Sequence, residues 1–304
     1  MKLTKDNIEK SVENLREPLV DFVQQIVRTP SLPDEEHTVQ EFIASKLMSL
    51  ETEVDVFPCR FEQLKDHPAF CDDGFSPNER VDVVGRWMGN SRGRSLILNG
   101  HVDVVPTGDE TLWDDSPWSG SENDGKIYGR GSCDMKGGLS AGIFALEALK
   151  KLNFKPDGDV LFESVIGEES GGAGTLAAIE RGYSADGVII LEPTSLHLSP
   201  IQSGALTFRL TIPGKATHAA MKWDGINAIE KFSILQIAIK DLEKRRHEEQ
   251  THGFYEDPNR IAPINLGTIH GGEWHSTVPG EVVVEGRFGV FPGESIDDAR
   301  KALE

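Results

Sequence analysis

The sequence is poor in the residues that mark several protein classes. It has three cysteines, Cys59, Cys71 and Cys133, an odd and sparse set with no CxxC pair, which argues against a disulfide framework, a redox pair or a zinc ribbon. Free cysteines of this kind read as inert packing residues in a reducing compartment, and Cys133 in particular reads as small and buried. Positive charge is scarce: 31 basic against 50 acidic side chains give a formal charge of −19, which repels phosphate backbones and anionic lipid. Nucleic acid and membrane are therefore excluded as expected partners. No apolar run is long enough to span a bilayer. The N-terminus, MKLTKDNIEKSVENL, alternates charged and apolar residues at helical spacing and lacks the uninterrupted apolar core of a secretory signal, so a cytoplasmic location is expected.

What remains is an ordinary globular composition, 38% apolar and 27% charged, over 304 residues. That length accommodates two domains at roughly 150 residues each. Ile8, Val12, Leu15, Leu19, Phe22, Val23 and Ile26 recur at spacings of three and four, as do Val39, Phe42, Ile43 and Leu47, predicting two amphipathic helices in the first 50 residues. Pro18 starts a new helical segment or kinks the first helix. The stretch from Pro58 to Arg80 has no clear period and reads as an irregular excursion. Four short apolar runs follow, Val81 to Val84, Ser95 to Asn99, Val160 to Ile166 and Gly187 to Leu191. Helical segments Gly137 to Leu152 and Gly174 to Arg181 separate the last three. Strand alternating with helix predicts an α/β fold built on a parallel or mixed sheet.

The pattern changes near Ile201. A strand (Ala205 to Ile212), a long helix (Asn227 to Arg246), strands at Ile264 to Ile269 and Glu281 to Phe288, and a helix starting at Ser295 give the order β, α, β, β, α. A ferredoxin-like domain needs one more strand, so the chain reads as truncated. The expected division is 1–200 and 201–304.

Three of the apolar strands end in acidic or imidazole side chains. SLILNGHVD, LFESVIGEES and VIILEPT place His101, Asp103, Glu168, Glu169 and Glu192 just past strand C-termini, where open α/β sheets bind ligands. GRGSCDMKGG adds Asp134 in a glycine-rich turn before a helix. Either GHVD or the paired glutamates alone would pass for a capped turn or a solvated surface. Three buried strands all ending in acids call for pairing or a metal. His101 and Asp103, two apart in an extended segment, point the same way, so the carboxylate can accept the second imidazole N–H and prepare the ring as a ligand. Imidazole and carboxylate donors without thiolate suit zinc, cobalt or manganese. Glu168 and Glu169 are adjacent, so one can bind while the other faces a water as general base.

These residues resemble a known family, the metallopeptidases and deacylases that include acetylornithine deacetylase, succinyl-diaminopimelate desuccinylase, aminoacylase and carboxypeptidase G. GHVDVVP, YGRGSCDMKGG, GEESGG and ILEPT occur in that family's order. The resemblance implies a zinc-peptidase-like mixed sheet flanked by helices, with a smaller ferredoxin-like lid that also forms a homodimer contact. It implies two divalent ions, zinc first and cobalt as the alternative: His101 and Glu192 on one, Asp134 bridging, Glu169 on the second, and Asp103 orienting His101. Glu168 matches the general base that deprotonates a bridging water for attack on an amide of a small N-acylated amino acid.

His218, in GKATHAA, matches a histidine that reaches a neighbouring subunit's oxyanion, and Arg287 matches an arginine that binds substrate carboxylate. The chain departs from the family in AAMKWDG after His218 and at Ser276, and the family's last metal-binding histidine would lie beyond Glu304. Weak or absent activity is therefore expected of the 304-residue form. A dipeptidase or carboxypeptidase on the same scaffold is the alternative enzyme. An inactive fragment serving as a binding or dimerisation module is the non-catalytic one.

Overall fold

The computed structural model describes residues 3–72, 74 and 80–304, so part of the Pro58–Arg80 excursion lies outside the described residues. The chain divides into two compact units, Met1–Leu196 and His197–Glu304.

The first unit opens with α1 (Lys5–Glu13), α2 (Arg16–Arg28) and α3 (His37–Ser49). The periodicity that reads as one helix over its first half is thus two. Pro18 has no N–H to give the Asn14 carbonyl, and the chain restarts its hydrogen bonding at Leu15, which precedes α2. Then come β1 (Glu53–Pro58), the short α4 (Phe61–Leu64), β2 (Val81–Trp87), β3 (Leu96–His101), the hairpin strands β4 (Ser121–Asn123) and β5 (Lys126–Tyr128), α5 (Gly137–Lys151), β6 (Val160–Val165), α6 (Ala173–Glu180) and β7 (Gly187–Ile190).

Five of these strands form one sheet in the order β1-β2-β6-β3-β7. β2 runs antiparallel to both β1 and β6, whereas β6, β3 and β7 are mutually parallel. The fold is therefore a mixed sheet flanked by helices. Central β3 and β6 are buried along nearly their whole length, as expected of strands covered on both faces, and Ile97, Leu98, Leu161 and Phe162 join Ile43, Leu47, Leu139 and Ile143 in one core. Lys46 Nζ of α3 reaches Glu147 of α5 at 2.6 Å, tying the two helices together. Because β3, β6 and β7 are parallel, their C-terminal ends share one edge of the sheet, and the loops that follow them converge there.

The second unit contains β8 (Gly204–Pro213), α7 (Ala228–Glu249), β9 (Ile264–Gly271), β10 (Glu281–Val290) and α8 (Ile296–Leu303), the β, α, β, β, α order read from the sequence. Its antiparallel sheet has the order β8-β10-β9. Asn227 caps α7 by accepting from the Ile229 and Glu230 amides. Near the other end of that helix, buried Arg246 donates to both Glu294 oxygens at 2.9 and 2.7 Å and lies over the Phe288 ring. No helix of the described residues is long and apolar enough to cross a membrane.

One buried acid sets a pH dependence. Asp82 on β2 is fully buried, and burial pushes its carboxyl from 3.8 up to about 8. The folded chain then keeps a proton that the unfolded chain releases near pH 4, so stability falls as pH rises from about 4 to about 8. One group contributes a slope of at most about 1.4 kcal/mol per pH unit. Denaturant unfolding at several pH values should show Asp82→Asn losing less stability than wild type toward alkaline pH. Parallel curves for the two proteins would refute this.

Candidate metal centre

His101 is the last residue of β3 and its side chain is 1% exposed. Its Nε2 faces three carboxylates, Asp134 Oδ1 at 3.2 Å, Glu192 Oε1 at 3.6 Å and Glu168 Oε2 at 3.8 Å. Among the described residues, two groups have all their donor atoms within 4.8 Å of one another: His101, Asp134 and Glu169, and His101, Glu168 and Glu192. Six residues singled out in the sequence, His101, Asp103, Asp134, Glu168, Glu169 and Glu192, thus meet at one sheet edge, all inside the first unit.

The role read for Asp103 needs correction in its geometry. The sequence spacing gives its carboxylate to the His101 ring. In the structure, His101 Nδ1 lies 2.9 Å from the Asp103 main-chain carbonyl and 3.5 Å from the carboxylate, so the carbonyl is the nearer acceptor. The fully buried carboxylate, besides adjoining the ring, holds the loop after β6, accepting from the Glu168 and Glu169 amides at 3.1 Å each. It orients the two glutamates as well as adjoining the imidazole. The shared loop also explains how adjacent glutamates both reach the site: they sit on a turn, where the alternation of a strand no longer applies.

Asp134 owes its place to irregular backbone. Gly131 is left-handed, Asp134 and Met135 have non-helical dihedrals, and the Asp134–Met135 peptide is cis. This loop turns Met135 and Lys136 inward, both fully buried, and leaves Cys133 exposed. The expectation that Cys133 is buried is therefore wrong, because its neighbours take the inner positions. Lys136 Nζ donates to the Ile26 and Thr29 carbonyls at 2.8 and 2.9 Å, anchoring the loop to the C-terminal end of α2. Gly138 opens α5 where a Cβ would stand 2.0 Å from the Leu191 carbonyl. Only glycine lets the end of β7, and Glu192 after it, approach the Asp134 loop this closely.

The electrostatics suit a cation. Burial and the nearby Asp134 charge raise the Glu169 carboxyl to about 7, and burial with the charges of Asp134 and Glu168 raises Glu192 to about 7 despite His101. Burial alone would lower the His101 imidazole. The Asp103 hydrogen bond and the charges of Asp103, Glu168 and Glu192 overcome it and raise the ring to about 10. A concave set of carboxylates around one imidazole, without thiolate, has the donor chemistry of a divalent-ion site of the zinc, cobalt or manganese type. A bound cation would compete with that imidazole proton and relieve the crowding of negative charge.

The other two sequence candidates belong to the second unit. His218 is exposed and precedes a short 3-10 turn, its Nδ1 accepting from the Ala220 amide at 3.1 Å, and it bridges to Thr277. A cleft of about 600 Å³ beside it is lined by Ala219, Lys222, Asn227, Trp274 and His275 among others. Arg287 is exposed on β10, opposite Thr207 and Asn265. The sequence reading missed Lys136, which anchors the Asp134 loop, and the buried carboxyl of Asp82. The available signal was polarity out of place, a lysine inside DMKGG and an aspartate inside the apolar VDVV run.

A mixed α/β sheet carrying a carboxylate–histidine cluster at the ends of its parallel strands defines a metallohydrolase-like architecture. The sequence profile of peptidase family M20/M25/M40 matches residues 97–284, and the chain belongs to that family. It is 31% identical to an N-formyl-4-amino-5-aminomethyl-2-methylpyrimidine deformylase of Halalkalibacterium halodurans, over 96% of this chain and 67% of that protein. A probable succinyl-diaminopimelate desuccinylase of Staphylococcus aureus is 32% identical over 67% of this chain and 54% of its own length. Among solved structures, a di-peptidase from Saccharomyces cerevisiae has the same fold, with a TM-score of 0.74 at 14% identity, over 98% of this chain and 74% of its own.

Proposed function

We propose that this protein hydrolyses a linear amide bond in a small N-acylated amine or amino acid, using two divalent ions, zinc by preference and cobalt as a substitute. The observation that carries the reading is the convergence of His101, Asp134, Glu168, Glu169 and Glu192 within one cluster at the C-terminal edge of the sheet. His101 and Glu192 would hold one ion, Glu169 the other, and Asp134 both. Ions bound there would supply Lewis-acid polarisation of the amide carbonyl and acidification of a water.

The chain's own residues do the rest. Glu168, half-exposed at the mouth of the cluster, takes a proton from the attacking water and returns it to the leaving amine. Asp103 holds Glu168 and Glu169 through their amides. His218 serves the neighbouring subunit's site, where it donates to the developing oxyanion, and Arg287 engages a substrate carboxylate. The first unit is then the catalytic part and the second a lid, in a cytoplasmic enzyme. Exposed Ile234 and Ile237 on α7 support a homodimer through the second unit.

The relatives' names favour release of an acyl group from an amine, since formyl and succinyl amides share that bond. The test is release of free amine from N-formyl, N-acetyl and N-succinyl compounds and from dipeptides, each with Zn2+ or Co2+ supplied. Turnover of the N-acyl compounds is expected wherever two ions are bound, if only weakly in the 304-residue form. Cleavage of dipeptides alone would move the assignment to a peptidase, and no cleavage of any of them by protein shown to hold two ions would defeat the reading.

A further inference from the structure

The turn that carries Glu168 and Glu169 is held at both ends. On one side Asp103 takes the Glu168 and Glu169 amides. On the other, Asp82 Oδ1 on β2 accepts from the Ile166 amide at 3.0 Å, immediately after β6 ends. The Ile166 and Gly167 carbonyls accept from Gly174 and Gly172, closing the loop on itself.

Asp82 is out of character for its position. It is fully buried in the apolar strand VDVVGRW, where a β-branched apolar residue would cost nothing, and among the described residues its Oδ2 has no hydrogen-bond partner. A buried carboxyl with one oxygen unsatisfied is expensive. The Ile166 amide is what it gains for that cost, together with the charge of Arg80 nearby and against those of Glu163 and Asp103. Space is kept open for this contact: a Cβ on Gly174 would stand 2.7 Å from Asp82 Oδ1 and 2.6 Å from the Ile166 nitrogen.

We infer that Asp82 is a positioning residue of the metal centre, fixing through the Ile166 amide the turn from which Glu168 and Glu169 project. The inference rests on the proposed roles of those two glutamates. Asparagine retains an acceptor at the Oδ1 position and should substitute for Asp82, whereas alanine cannot.

The experiment compares the full 304-residue chain with Asp82→Asn and Asp82→Ala, using three readouts. These are amide hydrogen exchange over residues 163–172, Co2+ affinity followed by the visible absorption of the bound ion, and the denaturant midpoint. Asp82→Ala should speed exchange in 163–172 while leaving β8 in the second unit unchanged, and should weaken Co2+ binding about tenfold or more. Asp82→Asn should stay within about threefold of wild type in affinity, on the same scale. Wild-type exchange and affinity in Asp82→Ala would overturn the proposal. So would an Asp82→Asn variant as impaired as Asp82→Ala. If the wild-type chain takes up no Co2+, the two-ion reading falls, while the exchange measurement still decides whether Asp82 holds the turn.

Discussion

Replacing Glu168 by glutamine should lower kcat by about 10²–10⁴-fold, the usual contribution of a positioned general base, while the bound-metal content stays at the wild-type level. The substitution keeps the shape of the side chain and leaves its main-chain amide on Asp103, so the turn should survive. What it removes is the ability to accept a proton from water and pass it to the departing amine. KM should change little, because a proton acceptor acts mainly on the transition state. The geometry also offers a competing role, since Glu168 Oε2 lies 3.8 Å from His101 Nε2 in one of the two ligand clusters. Metal analysis separates the two: loss of an ion together with activity would make Glu168 a ligand, and retention of more than about a tenth of wild-type kcat would remove it from proton transfer altogether.

The second large effect concerns Asp134, and it changes sign with metal. In the presence of Zn2+ at about 100 times its dissociation constant, the wild-type chain should gain about 2.7 kcal/mol of unfolding free energy, and Asp134→Ala should lose most of that increment. Under chelator, the same variant should be as stable as wild type or more so. The reason lies in the crowding of charge, because Asp134 is among the causes that raise Glu169 and Glu192 to about 7. Taking one carboxylate away relieves repulsion when no cation is present and removes a donor when one is. Denaturant titrations with and without Zn2+ would therefore cross. An equal gain from Zn2+ in both proteins would show that Asp134 is no ligand.

Much of this arrangement could be read from the residues alone, and the reasons are physical. The β3, β6 and β7 strands announce themselves as short apolar runs. Being parallel, they send His101, Glu168, Glu169 and Glu192 to one edge without further information. The second unit was equally plain because its long helix and alternating strands carry different periods. What was hidden depends on backbone detail. Pro18 announced a break or kink in the first helical stripe, but that the chain breaks there into separate α1 and α2 is settled only by the backbone. The turn of the Asp103 carboxylate toward the Glu168 and Glu169 amides depends on loop geometry that spacing does not carry. The burial of Lys136 in place of Cys133 follows from left-handed Gly131 and the irregular residues after it, which no periodicity reports.

Gly138 has a consequence for how such a site can be altered. The carboxylates and the imidazole are side chains, and each can be exchanged singly to tune affinity or ion preference. The gap between the first turn of α5 and the Leu191 carbonyl is set by main chain on both sides, and it has no room for one added carbon. A methyl group there would act as a wedge, spreading the Glu192 and Asp134 segments without touching any ligand atom. Redesign of the pocket can thus vary its chemistry freely, but its width is fixed by the absence of an atom.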